Sequence, residues 1–429
     1  FPLGGTHFRT KNNRQSDFVL LSVRGHKKIV LMYLYVHIPF CRSKCSYCDF
    51  FSLPIGSGAV PDSYIDALLA EAAYKKKLHR IKNWTTVYIG GGTPSLLSAF
   101  QLKKLCTGLF ALCPPAGGAE ITLEVNCADI AEKNARGFSD YLESASAAGI
   151  NRISAGIQSL DGAVLRCIGR RSSASETVSA LENLRLWRAS GKGRRYSCDL
   201  IAGLPLLGNQ KFKEGLSQVL FYAPDHLSLY SLMIEKGTEL ERTISSGALA
   251  WDADCADEQW LEGKKLLEDS GYVQYEVSNF AKKGFESRHN CAYWRMEDYE
   301  GIGAGAVGTV RDFRYANTKD IASYTAFWRD EKKIFRSEIS RSEIPQSICA
   351  AEHLSEKDRI LEFLMMGFRM REGISSREFY RRFSLPLEDV IGTVFARWAD
   401  KGLAERCGER YRLSGEGLLF LNDFLTELA

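Results

Sequence analysis

The sequence lacks long apolar runs, because no stretch reaches the ~18–20 residues that a membrane-spanning helix needs. It also lacks an excess of charge, since 56 basic residues against 52 acidic ones give a net charge of +4. A balance this close to neutral does not indicate nucleic acid binding. The sequence contains no apolar segment followed by a small-residue cleavage site, so it does not indicate a secretory signal. We therefore predict a cytoplasmic protein without a nucleic-acid partner, whose contact with a membrane would be peripheral.

Cysteines are present, but they are not arranged as in a disulfide-rich chain. The 12 cysteines are spread over 429 residues without the short paired spacings of secreted disulfide frameworks. This usage favours a reducing compartment, in which thiols stay available to a metal centre. A hydrophobic content of 45% and a charged content of 25% are typical of globular proteins, and the length is sufficient for two domains.

Residues 1–31 differ in composition from the rest of the chain. The segment begins with Phe1, and its six basic Lys and Arg side chains face a single acid, Asp17. We expect Met32 to be the natural start, just before the first strand, and residues 1–31 to be an N-terminal extension. Mass analysis of the N-terminus of the native protein tests this expectation.

Strand-like and helical patterns alternate from Tyr33 to about Leu232. Six short runs are apolar or β-branched, as buried parallel strands are, and helical stripes lie between them. Repeated strand–helix units predict an α/β fold with a parallel sheet and right-handed crossovers. Six units fit a partial (β/α)6 TIM-like barrel, and a doubly wound open sheet is the alternative. The predicted strands are Leu34–Ile38, Thr86–Ile89, Ile121–Val125, Arg152–Ala155, Cys198–Ile201 and Leu227–Leu232.

Three cysteines, Cys41, Cys45 and Cys48, follow the first predicted strand with C-x3-C-x2-C spacing. Random placement would produce this spacing about 0.01 times per chain, so chance is a poor explanation. A [4Fe–4S] cluster usually takes four cysteines, and three ligands leave one iron open to a small chelating molecule. The rival is a structural zinc site, which needs a fourth Cys or His ligand, and none closely follows Cys48.

Chemically distinctive residues follow each of the six predicted strands. Because the carboxyl ends of barrel strands meet at one face, these residues are predicted to share a site. Gly90–Gly92 let the backbone approach a ligand closely, and Arg170 could bind a carboxylate with two hydrogen bonds. Glu124 and Asp199 are acids whose burial costs free energy unless they are paired. Each feature alone has a structural alternative: a tight turn for the glycines, a hydrogen bond to a neighbouring loop for the acids, and a solvated helix charge for Arg170.

The stretch Tyr35-Val-His-Ile-Pro-Phe-Cys41, with the two later cysteines, resembles the cluster loop of the radical S-adenosylmethionine (SAM) family. Gly90-Gly-Gly-Thr-Pro94 and Gly149-Ile-Asn-Arg-Ile-Ser-Ala-Gly-Ile-Gln-Ser159 resemble further motifs of that family. The resemblance implies a partial (β/α)6 barrel with a [4Fe–4S] cluster whose open iron is chelated by SAM. It also implies an electron donor that reduces the cluster, so that SAM is cleaved to a 5′-deoxyadenosyl radical.

The same resemblance implies which residues hold these cofactors. The cluster would be bound by Cys41, Cys45 and Cys48. Aromatic side chains would pack against adenine, and glycines and polar groups at the strand ends would contact the rest of SAM. The SAM candidates are Tyr35, Tyr47, Gly91, Gly92, Thr93, Glu124, Gln158, Arg170 and Asp199.

Within the family, the chain resembles the branch of oxygen-independent coproporphyrinogen III oxidases and heme chaperones of the HemW type. The oxidases carry a fourth cysteine where this chain has Phe50. Cys48-Asp-Phe50, Tyr275-Glu-Val-Ser-Asn-Phe-Ala281 and His289-Asn-Cys-Ala-Tyr-Trp294 are similar to the chaperones. This implies binding of heme and its delivery to recipient hemoproteins, with His289 facing a porphyrin-sized cavity. The alternative is radical decarboxylation of the propionates of coproporphyrinogen III.

The predicted domain order follows from these motifs. Residues 32–250 form the barrel, and residues 251–345, with the Tyr275 and His289 motifs, complete it. From about Ala351 the pattern becomes helical, with a short strand at Tyr411-Arg-Leu-Ser414. Residues 346–429 resemble a small winged-helix-like α+β domain of the family, and this likeness does not by itself indicate DNA binding.

Overall fold

The computed structural model describes residues 30–134, 138–330 and 344–428. The expected N-terminal extension therefore lies almost entirely outside the described residues and stays a prediction. The first strand, β1, spans Val30–Ile38, so Met32 lies within it and not just before it. The Met32 side chain is fully buried in the core. In the described part of the chain, no helix is long and apolar enough to cross a membrane.

The predicted strand–helix alternation is present; five of the six predicted strands are longer than expected, and the sixth is shifted by one residue. A short pair, β2 and β3, and single helices or helix pairs separate the six main strands. The elements in chain order are β1, β2 (Phe40–Cys41), β3 (Leu53–Pro54), α1 (Asp62–His79), β4 (Ile81–Gly91), α2 (Ala99–Leu112), β5 (Pro115–Asn126), α3 (Cys127–Asn134), α4 (Phe138–Ala147), β6 (Arg152–Gln158), α5 (Gly162–Cys167), α6 (Ala174–Ser190), β7 (Arg195–Ala202), α7 (Asn209–Phe221) and β8 (His226–Ser231).

The strand order decides between the two predicted architectures. Strands β1, β4, β5, β6, β7 and β8 are neighbours in chain order, and every pairing among them is parallel. A doubly wound sheet needs a point at which the order reverses, and these six strands contain none. Right-handed crossovers then place the helices on one side of the sheet. The partial (β/α)6 barrel is therefore confirmed.

Successive side chains along each barrel strand alternate between two environments. Outward side chains such as Leu34, Val36 and Ile89 are apolar and fully buried beneath the helices. Inward side chains are mostly polar and line a lumen, so the expectation of purely apolar strands is too simple. The lumen is lined by Tyr35, His37, Thr86, Tyr88, Glu120, Thr122, Glu124, Arg152, Ser154, Ser197, Asp199, His226, Ser228 and Tyr230.

The segment after β8 completes the large sheet on both edges. Strand β11 pairs parallel with β1, whereas the strands beyond it and those beside β8 pair antiparallel. The elements are α8 (Glu239–Ser245), α9 (Ala253–Asp269), β9 (Val273–Gln274), β10 (Asn279–Ala281), α10 (Arg288–Trp294), β11 (Tyr299–Ile302), β12 (Val307–Val310), β13 (Phe313–Asn317), α11 (Ile321–Trp328) and β14 (Cys349–His353). Because β14 belongs to this sheet, the sheet extends beyond the predicted boundary at residue 346.

A small C-terminal domain follows, with its own core and a three-stranded sheet in the order β15-β17-β16. It is joined to the barrel by Arg382, whose guanidinium donates to the carbonyls of Arg295 and Met296 at the end of α10. The mixture of helices and a small antiparallel sheet agrees with the predicted winged-helix-like domain. Its elements are α12 (Glu356–Gly367), β15 (Ile374–Ser375), α13 (Ser376–Phe383), α14 (Leu387–Asp400), β16 (Ala404–Cys407), β17 (Arg410–Leu413) and α15 (Leu421–Leu428).

Candidate functional site

The three cysteines lie on one loop, residues 39–55, which we call the cluster loop. Its two ends are joined, because the amides of Leu53 and Ile55 donate to the carbonyls of Pro39 and Cys41 at 2.6 and 2.8 Å. Its middle is held by Ser46, whose amide donates to the carbonyl of Ile168 at 3.1 Å and whose carbonyl accepts from Leu240 at 2.8 Å. Segments that follow β6 and β8 therefore fix the loop at the carboxyl-terminal mouth of the barrel.

The three thiols are free and partly accessible. Burial raises the pKa of Cys41, although the Thr93 hydroxyl donates to its sulfur at 3.3 Å. Burial likewise raises the pKa of Cys48 to about 11. Without a metal these two thiols are thus protonated at neutral pH, and metal binding must release their protons.

The donor set suits an iron–sulfur cluster. Among the described residues, no three His, Cys, Asp or Glu side chains group closely enough to hold a single metal ion. In a cubane cluster the cysteines bind different irons, so their sulfurs need not surround one point. The three thiols on one anchored loop therefore fit a cluster.

Two buried acids lie inside the mouth. Glu124 accepts hydrogen bonds from the Tyr88 hydroxyl at 2.7 Å and the Gly91 amide at 3.0 Å. Burial, helped by the neighbouring charge of Asp199, raises the pKa of Glu124 to about 7. Burial also raises the pKa of Asp199, which accepts from the Ser154 hydroxyl at 3.1 Å. The pair is therefore suited to hold a proton or to bind a cationic group, such as the amino group of SAM.

Arg170 lies between the cluster loop and the end of β6. One of its terminal nitrogens donates to the carbonyl of Gly156, whereas its buried Nε has no protein partner. Burial lowers the pKa of this guanidinium, but Tyr47 and Cys45 beside it raise the pKa overall, so it stays charged. An unused donor on a fixed cation fits the carboxylate that the sequence assigns to it.

The remaining predicted SAM residues lie at the same mouth. Gln158 adopts a left-handed backbone conformation, with φ of 63°, where the pairing of β6 with β7 shifts register. Tyr47 belongs to the cluster loop and packs against the main core, and Thr93 follows β4 beside Cys41. The structure thus brings together the predicted residues from β1, β4, β5, β6 and β7 at one end of the barrel.

The glycines at the end of β4 are required by the protein's own packing. Gly91 has φ of 115°, and a Cβ on it would lie 2.6 Å from the His37 ring. A Cβ on Gly92 would lie 2.7 Å from the carbonyl oxygen of Phe40, and the Gly92 amide donates to Ile38 at 2.9 Å. These two glycines therefore let the end of β4 press against the end of β1, whatever they contribute to SAM.

His37 is a site residue to which the sequence analysis assigned no role. Its Nδ1 accepts from the Tyr35 hydroxyl at 2.8 Å, and its Nε2 donates to the carbonyl of Phe51 at 3.1 Å. Burial lowers the pKa of His37 to about 4, so the ring is neutral at physiological pH. The ring joins Tyr35 to the far end of the cluster loop. The position of His37 within the Tyr35–Cys41 motif is the signal from which this role could have been predicted.

The sequence predicts that His289 faces a porphyrin-sized cavity, and this prediction is wrong. It is 1% exposed, and its ring nitrogens contact the hydroxyls of Thr86 at 2.6 Å and Tyr293 at 2.9 Å. The amides of Arg288 and His289 donate to Glu120 at the start of the lumen. Helix α10 therefore closes the barrel floor, opposite the cluster loop, and neither ring nitrogen of His289 is free for heme iron.

Comparisons with known proteins agree with this geometry. Residues 35–216 match the model of the radical SAM superfamily, and residues 354–420 match that of the HemN C-terminal domain. The chain is 34% identical over 402 residues to the heme chaperone HemW of Escherichia coli K12, covering 93% of this chain and 98% of that protein. The chain belongs to the radical SAM superfamily.

Two further comparisons agree with this membership. It is 34% identical over 404 residues to the mouse radical S-adenosyl methionine domain-containing protein 1, mitochondrial, covering 92% of this chain and 86% of that protein. The solved structure of coproporphyrinogen III oxidase (HemN) from Escherichia coli has a TM-score of 0.74, with 22% identity and coverage of 92% and 89%. The second likeness confirms the fold, and membership of the superfamily implies a [4Fe–4S] cluster and SAM.

Proposed function

We propose that this radical SAM protein is a heme chaperone, which binds heme, SAM and a [4Fe–4S] cluster and delivers heme to hemoproteins. The observation that carries the proposal is Phe50, which stands where the resembling oxidases have a fourth cysteine. Similarity to HemW over nearly the whole chain supports it. The recipient hemoprotein, the electron donor and the cytoplasmic location are parts of this proposal.

Residues of the mouth would hold the two cofactors. Cys41, Cys45 and Cys48 would bind the cluster, and Arg170 and Glu124 would bind the carboxylate and amino groups of SAM. When bound, the reduced cluster supplies the electron that cleaves SAM. The contribution of the chain is to fix the thiols on an anchored loop, to orient SAM with buried charges and to limit the access of water.

Apolar side chains around the mouth support heme as the ligand. Phe50 is 44% exposed and Leu53 is 46% exposed on the cluster loop, while Leu206 and Met233 are 60% and 71% exposed on the loops after β7 and β8. Exposed apolar groups around one opening mark a binding surface for an apolar partner. Heme is a flat apolar ring with charged propionates at one edge, so we place it at this mouth and not at the floor.

Heme titration followed by absorption tests the placement. Phe50→Glu and Met233→Glu put charge against the apolar ring, so we expect each to weaken heme binding by roughly tenfold, or about 1.4 kcal/mol. Phe221→Glu is the matched control, because Phe221 is 78% exposed at the end of α7, away from the mouth. Equal affinity of the mouth variants and the control would contradict the placement.

An anaerobic assay separates the chaperone from the oxidase. The reconstituted protein is incubated with coproporphyrinogen III, SAM and a reductant. The chaperone proposal predicts no protoporphyrinogen, together with transfer of bound heme to an apo-hemoprotein. Catalytic formation of protoporphyrinogen would instead establish the oxidase activity.

A further inference from the structure

Aromatic rings form a continuous series along the lumen. From the mouth downward, the ring centroids of Tyr35 and Tyr88 are 6.2 Å apart, and those of Tyr88 and His289 are 5.0 Å apart. His289 lies 4.8 Å from Tyr293, which lies 4.5 Å from Tyr299. We call these five residues the lumen series. It connects the end of the barrel that carries the cluster loop with the floor formed by α10.

Three tyrosines of the lumen series share a second property, which ring packing does not require. Each phenol lies within hydrogen-bond distance of a side chain that can accept its proton. The pairs are Tyr35 with His37 Nδ1 at 2.8 Å, Tyr88 with Glu124 Oε1 at 2.7 Å, and Tyr293 with His289 Nε2 at 2.9 Å. A hydrogen-bonded base lets a phenol lose an electron and a proton together, so that the product is a neutral phenoxyl radical.

The orientation of the two tyrosine–histidine pairs agrees with this role. The Phe51 carbonyl can only accept a hydrogen bond, so His37 Nε2 carries the proton and Nδ1 accepts from Tyr35. The Thr86 hydroxyl can accept from His289 Nδ1, which leaves Nε2 to accept from Tyr293. Both imidazoles are neutral at physiological pH, because burial lowers the pKa of each. An oxidised phenol is a far stronger acid than either imidazolium, so the proton moves to the base.

We propose that the lumen series carries an oxidising equivalent away from the cofactor site to the barrel floor. In the first step the Tyr35 phenol gives an electron to an oxygen-centred radical formed at the mouth, such as a peroxyl radical, which becomes the peroxide anion, and the Tyr35 proton moves to His37. In the next step Tyr88 gives an electron to the Tyr35 phenoxyl. The proton on His37 returns to Tyr35, and the Tyr88 proton moves to Glu124. Tyr293, with His289 between the rings, then reduces Tyr88 in the same way.

Tyr272 is a buried tyrosine without a base beside its phenol, unlike Tyr275 and Tyr324, which lie outside the lumen series and contact His226 and Glu71. It is 3% exposed, and its phenol donates to the carbonyl of Pro224 at 2.6 Å. A carbonyl oxygen cannot keep the phenol proton at neutral pH, so oxidation of Tyr272 is unfavourable. Tyr272→Phe therefore provides a matched control for loss of a buried phenol without loss of a phenol–base pair.

The test uses the full-length protein with its cluster in the oxidised, diamagnetic state, at a pH above about 7, where Glu124 is ionised and can accept the Tyr88 proton. Azidyl radicals, a small inorganic one-electron oxidant, are generated anaerobically, and the sample is frozen for electron paramagnetic resonance. Ring-deuterated tyrosine identifies phenoxyl signals by the collapse of their hyperfine splitting. We expect a persistent phenoxyl signal in the unmodified protein and in Tyr272→Phe. We expect the Tyr88→Phe, Tyr293→Phe double variant to lose a larger part of that signal than the Tyr272→Phe control.

A third variant separates proton acceptance from packing. Glu124→Gln retains the ring of Tyr88 and an acceptor oxygen, but an amide cannot take the phenol proton, so we expect less of the persistent signal. Thermal unfolding by circular dichroism verifies that each variant is folded. An equal signal in the double variant and the control, or an unchanged signal in Glu124→Gln, would overturn the proposal. The readout needs no heme, so it is independent of the chaperone proposal.

Discussion

The residues with the clearest chemical character are the buried charges at the mouth. The sequence indicates Glu124 and Asp199 because acids at the ends of apolar strands are costly to bury, and Arg170 because a guanidinium can bind a carboxylate with two hydrogen bonds. Their partners, Tyr88, Ser154 and the Gly156 carbonyl, could not be predicted, because they come from neighbouring strands whose register no local pattern reveals. The sequence thus identifies the charges, and only the fold identifies what they bind.

The raised pKa of Glu124 predicts how stability depends on pH. The folded protein holds a proton on Glu124 that the unfolded chain releases between pH 4.5 and about 7, so this group lowers the free energy of unfolding as pH rises. Glu124→Gln removes the titration and keeps an acceptor for Tyr88. From pH 4.5 to 7, we expect the variant to gain up to about 3 kcal/mol relative to the unmodified protein.

Denaturant unfolding at several pH values, on protein without added SAM, measures this difference. Glu182→Gln is the control, because Arg185 holds the pKa of the exposed Glu182 below its usual range. That variant has no raised carboxyl pKa to remove and should show no such gain. A constant difference between Glu124→Gln and the unmodified protein across this pH range would contradict the assignment.

Arg170 is expected to be sensitive to a conservative change. Lysine keeps the charge but loses the planar fork, so Arg170→Lys loses either the bond to Gly156 or the one offered to a carboxylate. We expect the affinity for SAM to fall roughly 10- to 100-fold, as for loss of a charged hydrogen bond. Equilibrium dialysis of the anaerobically reconstituted protein measures it, and Arg166→Lys on the exposed side of α5 should bind normally.

At the scale of elements, the ends of β4 and β1 fit together closely. An alanine at Gly91 faces a backbone conformation that L residues rarely adopt and a contact of 2.6 Å with the His37 ring. We expect Gly91→Ala to lower the free energy of unfolding by about 2–5 kcal/mol, from backbone strain and overpacking together. Denaturant unfolding with a matched variant separates the two causes.

Gly118→Ala is that matched variant. Gly118 also has a positive φ, 71°, but a Cβ on it would meet nothing within 4 Å. We expect it to show the backbone cost alone, about 1–2 kcal/mol. If both variants were destabilised equally, the contact between Gly91 and His37 would be unimportant.

The order of strands and helices could be predicted from the sequence because each strand–helix unit has its own local pattern. All six strands and their parallel arrangement are confirmed. The role of α10 could not be predicted, because a helix late in the chain closes the floor through contacts with Glu120 and Thr86, far away in sequence. The alternation of Glu120, Thr122 and Glu124 was the available sign of a polar lumen.

At the scale of the whole molecule, the floor of the barrel is also the docking site of the C-terminal domain. Met370 forms an isolated antiparallel β-bridge with Glu276, and the Arg371 amide donates to the Tyr275 carbonyl at 3.0 Å. Trp294 packs against a hydrophobic cluster that contains Tyr275 and Met370. The Tyr275 and His289 motifs thus lie between the lumen and this domain. These two motifs, which resemble those of the chaperone branch, therefore serve first to close the barrel and to dock the C-terminal domain.

The molecule therefore separates two tasks by position. The mouth carries the thiols, the buried charges and the exposed apolar side chains, while the floor is closed by α10 and covered by the C-terminal domain. We propose that the cofactors and heme bind at one end, whereas structural closure lies at the other. We propose above all that three thiols of the cluster loop hold a cubane with one iron open to SAM.

Electron paramagnetic resonance of the reduced, anaerobically reconstituted protein, recorded before and after addition of SAM, tests this claim most directly. We predict a [4Fe–4S] signal that changes when SAM is added and that disappears in Cys45→Ala. It should persist in Cys255→Ala, since Cys255 lies on α9 outside the cluster loop. Absence of a cubane, or a cubane signal that SAM leaves unchanged, would contradict the account.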